Sequence, residues 1–411
     1  MRISLKAVKN AKIERVFMNI EDIQREIKNQ GIDGWLFYDF HNRDAMAYRI
    51  LGMEFNKFTS RRWYYFVPVE GEPVRLVSAV EATKLDSLPG SKKVYSSWKQ
   101  QHQAIKDMLG SSRKIAMQYS PNNNIPYVSI VDAGTIELIR SFGFEIVSSA
   151  NLVQIFEAII DEDGYRSHLE AGEKIQKIKD EAFALIERKI RINEKISEYE
   201  VQQFIVKRFH EERLNDDGDH PIVGVNEHPA NPHFEPTLEN SYVIKKGDTI
   251  LIDLWARKDN DKAIYYDITW CGYAGTEPPV KYVEIFSIVR DARNAARDFV
   301  RDKFAKGEKC YGYEVDDACR EVVEKAGYGE YFVHRTGHSI GHEVHGNGVN
   351  IDNLETKDER ELMPGICFSI EPGIYLPGEM AVRSEIDVFI TQDSEVVVAG
   401  KEQSELILMD V

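Results

Sequence analysis

Residues 247–270 read GDTILIDLWARKDNDKAIYYDITW, and residues 367–390 read CFSIEPGIYLPGEMAVRSEIDVFI. Each is a pair of β-forming runs around a turn, KDNDK at 258–262 in the first and Pro377–Gly378 in the second. In each, two acids stand fourteen residues apart: Asp253 and Asp267, then Glu371 and Glu385. A hairpin centred on Asn260 sets Asp253 opposite Asp267 on one face, and one centred on Gly378 does the same for Glu371 and Glu385. A lone Asp in a strand is usually an edge or capping residue. Facing carboxylates inside apolar strands repel each other and lose hydration unless a cation lies between them, so two such pairs point to bound metal.

Four of the eleven histidines, His334, His338, His342 and His345, fall within VHRTGHSIGHEVHGNGVNI. Their spacing of four, four and three fits one helix face, but Gly337, Gly341, Gly346 and Gly348 would each cost a helix about 1 kcal/mol relative to Ala. Strand and close-approach loop is the better reading, which brings only some of these imidazoles to a common site. HEVH is not a zincin HExxH motif, because two residues rather than three separate His342 from His345. Alone, each histidine is most simply a satisfied or surface side chain. Beside four facing carboxylates, one of them completes a mixed N/O metal site.

The 411 residues carry a formal charge of −16, unevenly spread: 21 basic against 17 acidic residues in 1–160, and 31 against 51 in 161–411. The acidic part argues against nucleic acid or an anionic membrane as partner. At this length two domains are expected. The first 150 residues alternate helix and strand signals: IEDIQREIKNQG, GWLFYDF, a hairpin in RRWYYFVPVEGEPVRLVSA, KIAMQYS and AGTIELIRSFGF. A break at IIDEDGYRS marks the boundary, giving domains 1–160 and 161–411, and a long amphipathic helix is expected to follow from His168. Ser197 with Glu200 reads as a capping box, and further helices are expected near 280–305 and 313–327. No run is apolar enough to span a bilayer, and the opening MRISLKAVKNAKIERVF lacks a signal-peptide core, so cytoplasmic residence is expected. Cys271, Cys310, Cys319 and Cys367 form no CxxC pair and are expected as free thiols.

The order Asp253, Asp267, His338, Glu371, Glu385, with His338 inside RTGHSIGHEVHG, resembles the five-ligand signature of the M24 metallopeptidases, the family of methionine aminopeptidase, aminopeptidase P and prolidase. The resemblance covers residues from about 165 to 405. It implies an α/β (α+β) architecture: a creatinase-type N-terminal domain followed by a pita-bread catalytic domain. By the same resemblance, Asp253 chelates one metal, Asp267 and Glu385 bridge two, and His338 with Glu371 holds the other. Glu371 is then the general base and proton donor, and His233 in ANPHFEPT and His345 assist at the substrate carbonyl. His334 matches a substrate-contact position. Arg383 of the VRxE phrase orients Glu385 or fixes a substrate carboxylate, unless it is an ordinary ion pair.

The implied activity is a metal-dependent Xaa-Pro peptidase, of aminopeptidase P or prolidase type, acting on a proline-containing peptide or dipeptide. Two divalent ions per subunit are implied, Mn first, with Zn, Co or Fe admitted by a ligand set without thiolate. A homodimer is also implied, with Arg61–Tyr65 (RRWYY) either a border patch or, more simply, core. Competing readings are a creatinase-like or other non-peptidase enzyme, and a binding module that has lost its metals; retention of all five ligand positions argues against both. The departures from the family phrase are a long loop between Asp253 and Asp267, Tyr266 and Trp270 flanking Asp267, His342 at a usually apolar position, and Gly346 in place of an acid.

Overall fold

The alternating signals of the first 150 residues resolve into one mixed sheet. In the computed structural model, which describes residues 19–55, 58–260 and 262–411, its strands are β1 (Gly34–Asp39), β2 (Trp63–Pro68), β3 (Val74–Ser78), β4 (Ser91–Tyr95), β5 (Lys114–Met117) and β6 (Glu145–Ser148), in the order β4-β3-β2-β1-β5-β6. Every side chain of β1 is buried, as in a strand covered on both faces. Trp63, Tyr64 and Tyr65 are buried as well, so the aromatic part of RRWYY is core. The stretch 1–17, read above for a signal peptide, and Asp261 of the turn cluster lie outside the described residues. Among the described residues no helix is long and apolar enough to cross a membrane.

The chain divides into two compact units, one of residues up to 121 with 129–152, the other of 122–128 with 153–411. The division falls inside the helix Ala150–Glu157. Its Gln154 is anchored in the second unit, where it accepts from Val349 N at 2.7 Å and donates to Glu361 O at 2.7 Å. The long helix starts earlier than the sequence suggested. It runs Glu162–Arg191, because Asp161 caps it by accepting from Gly164 N at 2.7 Å and Glu162 and Asp163 favour its N-terminal dipole. The capping box of Ser197 and Glu200 opens the next helix, Glu198–Glu212.

The second unit has two halves, each a sheet with helices on its outer side. The first holds β7 (Leu214–Asn215), β8 (Ile222–Val225), β9 (Thr249–Lys258) and β10 (Tyr266–Tyr273). Ala171, Ile175, Ile178 and Ala182 of the long helix pack there against Ile252, Leu254 and Ile268. The second half holds β11 (Ser339–Ile340), β12 (Cys367–Ile370), β13 (Gly373–Leu376), β14 (Met380–Arg383), β15 (Ile386–Ile390) and β16 (Val396–Ala399), under the helices Val280–Ala305 and Gly312–Lys325. A last strand, β17 (Ile407–Leu408), returns to pair with β10. All four cysteines are buried and free.

The histidine segment is strand and loop, held by close backbone approach. A Cβ on Gly337 would lie 2.0 Å from Ser369 O, and Gly337 exchanges hydrogen bonds with Ile351. Gly337→Ala must therefore push this loop off β12. A loss of about 3 kcal/mol in denaturant unfolding is expected, at the upper end for overpacking because backbone cannot yield as a side chain does.

Candidate metal centre

Alternation along the second hairpin sets the site. Ladders β12/β15 and β13/β14 share one register, Ile370 facing Ile386 and Gly373 facing Arg383, so its midpoint is Gly378 as the sequence predicts. Ser369, Glu371 and Tyr375 then fall on one face with Arg383, Glu385 and Asp387. Pro372 has no N–H to give and interrupts the ladder. In the gap, Glu371 N donates to Thr336 O at 2.7 Å, and Glu385 N crosses to Thr269 O of β10 at 3.2 Å, stitching the two halves together at the acids.

The centre of the first hairpin lies one residue later than expected, so each facing partner shifts by two. Thr269 faces Asp253 and Trp255 faces Asp267; Ala263 N donates to Asn260 O at 3.1 Å, and the centre of the register falls after Asn260. Asp253 and Asp267 are therefore diagonal neighbours rather than directly opposite. They keep the same face because the shift preserves parity.

Asp267, His338 and Glu385 converge, with one potential ligand atom from each lying within 4.8 Å of the others. His338 Nε2 is 3.7 Å from Asp267 Oδ2 and 3.4 Å from Glu371 Oε1, which brings in the fourth side chain. The Nδ1–H of His338 is directed to Ser339 O at 3.2 Å, a tautomer that leaves the Nε2 lone pair toward the acids. Asp253 stands beside this cluster, its Oδ2 bonded by Arg383 Nη2. All five line one cavity of about 430 Å³.

The donor set fits divalent metal. Asp267 Oδ1 and Glu385 Oε1 are buried and have no hydrogen-bond partner among the described residues, a costly state for carboxylates unless a cation takes the lone pairs. Burial, followed by repulsion from neighbouring acids, pushes Asp267 and Glu385 well above the usual carboxylate range. Burial raises Glu371 to about 7, against the pull of Arg383. It also drives His338 well below the usual imidazole value, so the ring is a neutral lone-pair donor.

The structure brings the remaining candidates to the same cavity in different states. His345 is exposed at the mouth, its ring edge-on to His338 with centroids 4.4 Å apart, and His233 is exposed beside it. His334 is held, Nδ1 toward Arg335 O at 2.6 Å and Nε2 toward the Tyr375 hydroxyl at 2.7 Å; burial and the nearby Arg383 charge push it down to about 3. Arg383 is fully engaged, Nε on Thr269 Oγ1 at 3.0 Å, Nη1 on Tyr375 at 3.1 Å and Nη2 on Asp253. Thr269 Oγ1 in turn donates to Glu385 Oε2 at 2.7 Å, so Arg383 reaches Glu385 through that hydroxyl. His342 is exposed and turned to Ala263 O at 3.3 Å.

Residues 170–392, more than half of the chain, match the model of metallopeptidase family M24. The chain belongs to this family. A Xaa-Pro dipeptidase of Lactobacillus helveticus is 34% identical over 172 residues, a match spanning 42% of this chain and 42% of that enzyme's length. Dipeptidase PepE from Mycobacterium ulcerans has the same fold with a TM-score of 0.65 at 22% identity, over 95% of this chain and 97% of that one. X-prolyl aminopeptidase from Caenorhabditis elegans, described as cytosolic with a di-nuclear active site, follows at 0.59 and 18% identity, over 92% of this chain and 60% of that one. The M24 architecture here is thus the mixed α/β pita-bread arrangement.

Four side chains of this M24 centre were missed in the sequence: Tyr375, Ser369, Asp387 and the Thr269 hydroxyl. Ser369 Oγ donates to Glu371 at 3.2 Å, and Asp387 accepts from Asp267 N at 2.8 Å. Period-two counting from Glu371 and Glu385 would have found three of them, and the same count from Asp267 finds Thr269. Thr269→Val severs the link between Arg383 and Glu385. Metal affinity is expected to fall about 10-fold in titration against a chelating dye, with the circular dichroism spectrum retained.

Proposed function

We propose that this chain is a metal-dependent Xaa-Pro peptidase, hydrolysing the bond before proline with two divalent ions, manganese first among them. In the same reading it is a cytoplasmic homodimer whose residues 1–160 form a creatinase-type accessory domain to a catalytic domain of 161–411. The observation that carries it is the pair of buried, unpartnered oxygens Asp267 Oδ1 and Glu385 Oε1, beside His338 in a cavity that also holds Glu371.

Asp253, Asp267, His338, Glu371 and Glu385 would hold the ions. When bound, a divalent pair supplies Lewis acidity, lowering the pKa of the attacking water and drawing charge from the scissile carbonyl. Glu371 takes a proton from that water and returns it to the proline nitrogen as the C–N bond breaks. His345 and His233, at the cavity mouth, donate N–H to the developing oxyanion. Arg383 keeps Asp253 and, through Thr269, Glu385 in place, and Tyr375 fixes His334 in the cavity wall.

Rates on Xaa-Pro and Xaa-Pro-Yaa-Zaa substrates, with manganese and with chelator, test this reading. Metal-stimulated cleavage before proline is expected, and the ratio of the two rates assigns dipeptidase or aminopeptidase P length preference. Absence of metal-stimulated hydrolysis of both contradicts it.

A further inference from the structure

The cavity has a charged wall that the chemistry above does not use. Asp219 and Glu235 line it, both exposed, and neither carboxylate has a hydrogen bond or ion pair among the described residues. They lie close together: after burial and Asp216, the Glu235 charge is what pushes the Asp219 carboxyl up. Among the described residues no guanidinium pairs with either. Of the two that line the cavity, Arg383 is tied to Asp253 and Arg335 donates to the Tyr127 hydroxyl. Glu355, on the same cavity, adds further negative charge while accepting from Arg335 N at 2.9 Å.

The same cavity is also lined by aromatic rings. Phe234 and Trp255 are both buried there, and Trp255, 8% exposed, has an indole Nε1 without a partner among the described residues. A buried indole N–H calls for an acceptor such as a peptide carbonyl. Aromatic surface suits the methylene stem of a long side chain, and two carboxylates suit a cationic head.

We propose that Asp219 and Glu235, with the rings of Phe234 and Trp255, form a specificity wall for substrates whose residue before proline is lysine or arginine. This rests on the Xaa-Pro reading above and names the substrate class within it. The α-ammonium of the substrate does not account for a preference, because every Xaa-Pro dipeptide carries one. An exposed pair contributes at most about 5-fold, so two carboxylates predict roughly 10-fold in favour of a basic residue at low ionic strength, fading as the screening length shrinks toward ~3 Å at molar salt.

The test compares kcat/KM for Lys-Pro and norleucine-Pro, which share a stem and differ in charge, in manganese-loaded enzyme at low and at molar salt. A preference near 10-fold for Lys-Pro is expected, falling below twofold in molar salt and in the Asp219→Asn, Glu235→Gln double variant. Equal rates in the wild type, or the same preference in the double variant, overturn the wall while leaving the peptidase reading intact. If neither substrate is hydrolysed, the peptidase reading fails, and calorimetric binding of L-lysine and L-norleucine then decides the wall alone. About 10-fold tighter binding of lysine, lost in the double variant, supports it; equal affinities overturn it.

Discussion

Replacing Glu371 by glutamine lowers kcat roughly 1000-fold, the middle of the range for a general acid–base group. The side chain is nearly isosteric, and its neighbours keep their bonds: the Ser369 hydroxyl still has an oxygen to meet, and Glu371 N still donates to Thr336 O. What is lost is a carboxylate that can take a proton from water and release it, which a carboxamide cannot do. Steady-state rates with circular dichroism and metal content as controls separate this from misfolding or metal loss. Activity within a few-fold of the parent, at full metal loading, contradicts the assigned role.

Removing metal makes folding stability pH-dependent. Without a cation, the folded chain holds Glu371 protonated up to about pH 7, and burial with mutual repulsion raises Asp267 and Glu385 as well, whereas the unfolded chain ionises all of them at ordinary carboxylate values. A raised carboxyl binds protons the unfolded state has released, so stability is fully present below the unfolded pKa and is lost as pH rises through the folded one. Chelated protein should lose on the order of 2–3 kcal/mol from Glu371 alone between acid and neutral pH. Divalent metal at a hundredfold its dissociation constant restores about 2.7 kcal/mol, a rise in Tm of roughly 5–10 °C. Thermal melts across pH, with and without manganese, read both effects. A chelated protein as stable at neutral pH as at pH 5 contradicts the electrostatic account of the cluster.

Both hairpins, the capping box at Ser197 and the four candidate carboxylate ligands were legible because turn composition, capping and β-parity are local properties, whereas His338 was singled out among the four clustered histidines only by the resemblance to the M24 signature. The Gly378 midpoint followed from symmetry about a short turn, residues 377–379, between the pair Leu376 and Met380. Asn260 did not, because a longer turn can place its reversal on either side of centre, and the shift of one put Thr269 opposite Asp253. The start of the helix at Glu162 was hidden by Gly164, which reads as a breaker but packs where a Cβ would meet Ile160 at 2.8 Å. The engagement of Arg383 by Asp253, Thr269 and Tyr375 depends on two hairpins meeting, which spacing within one hairpin does not encode. Asp219 and Glu235 escaped notice for the same reason: only the fold brings their two loops to the cavity that holds Asp253 and Glu371.

Elemental analysis of protein purified without chelator and supplied with manganese tests the central claim most directly. The account predicts two divalent ions per chain, reduced in the Asp267→Asn variant. Fewer than about one per chain after supplementation contradicts a paired-metal site.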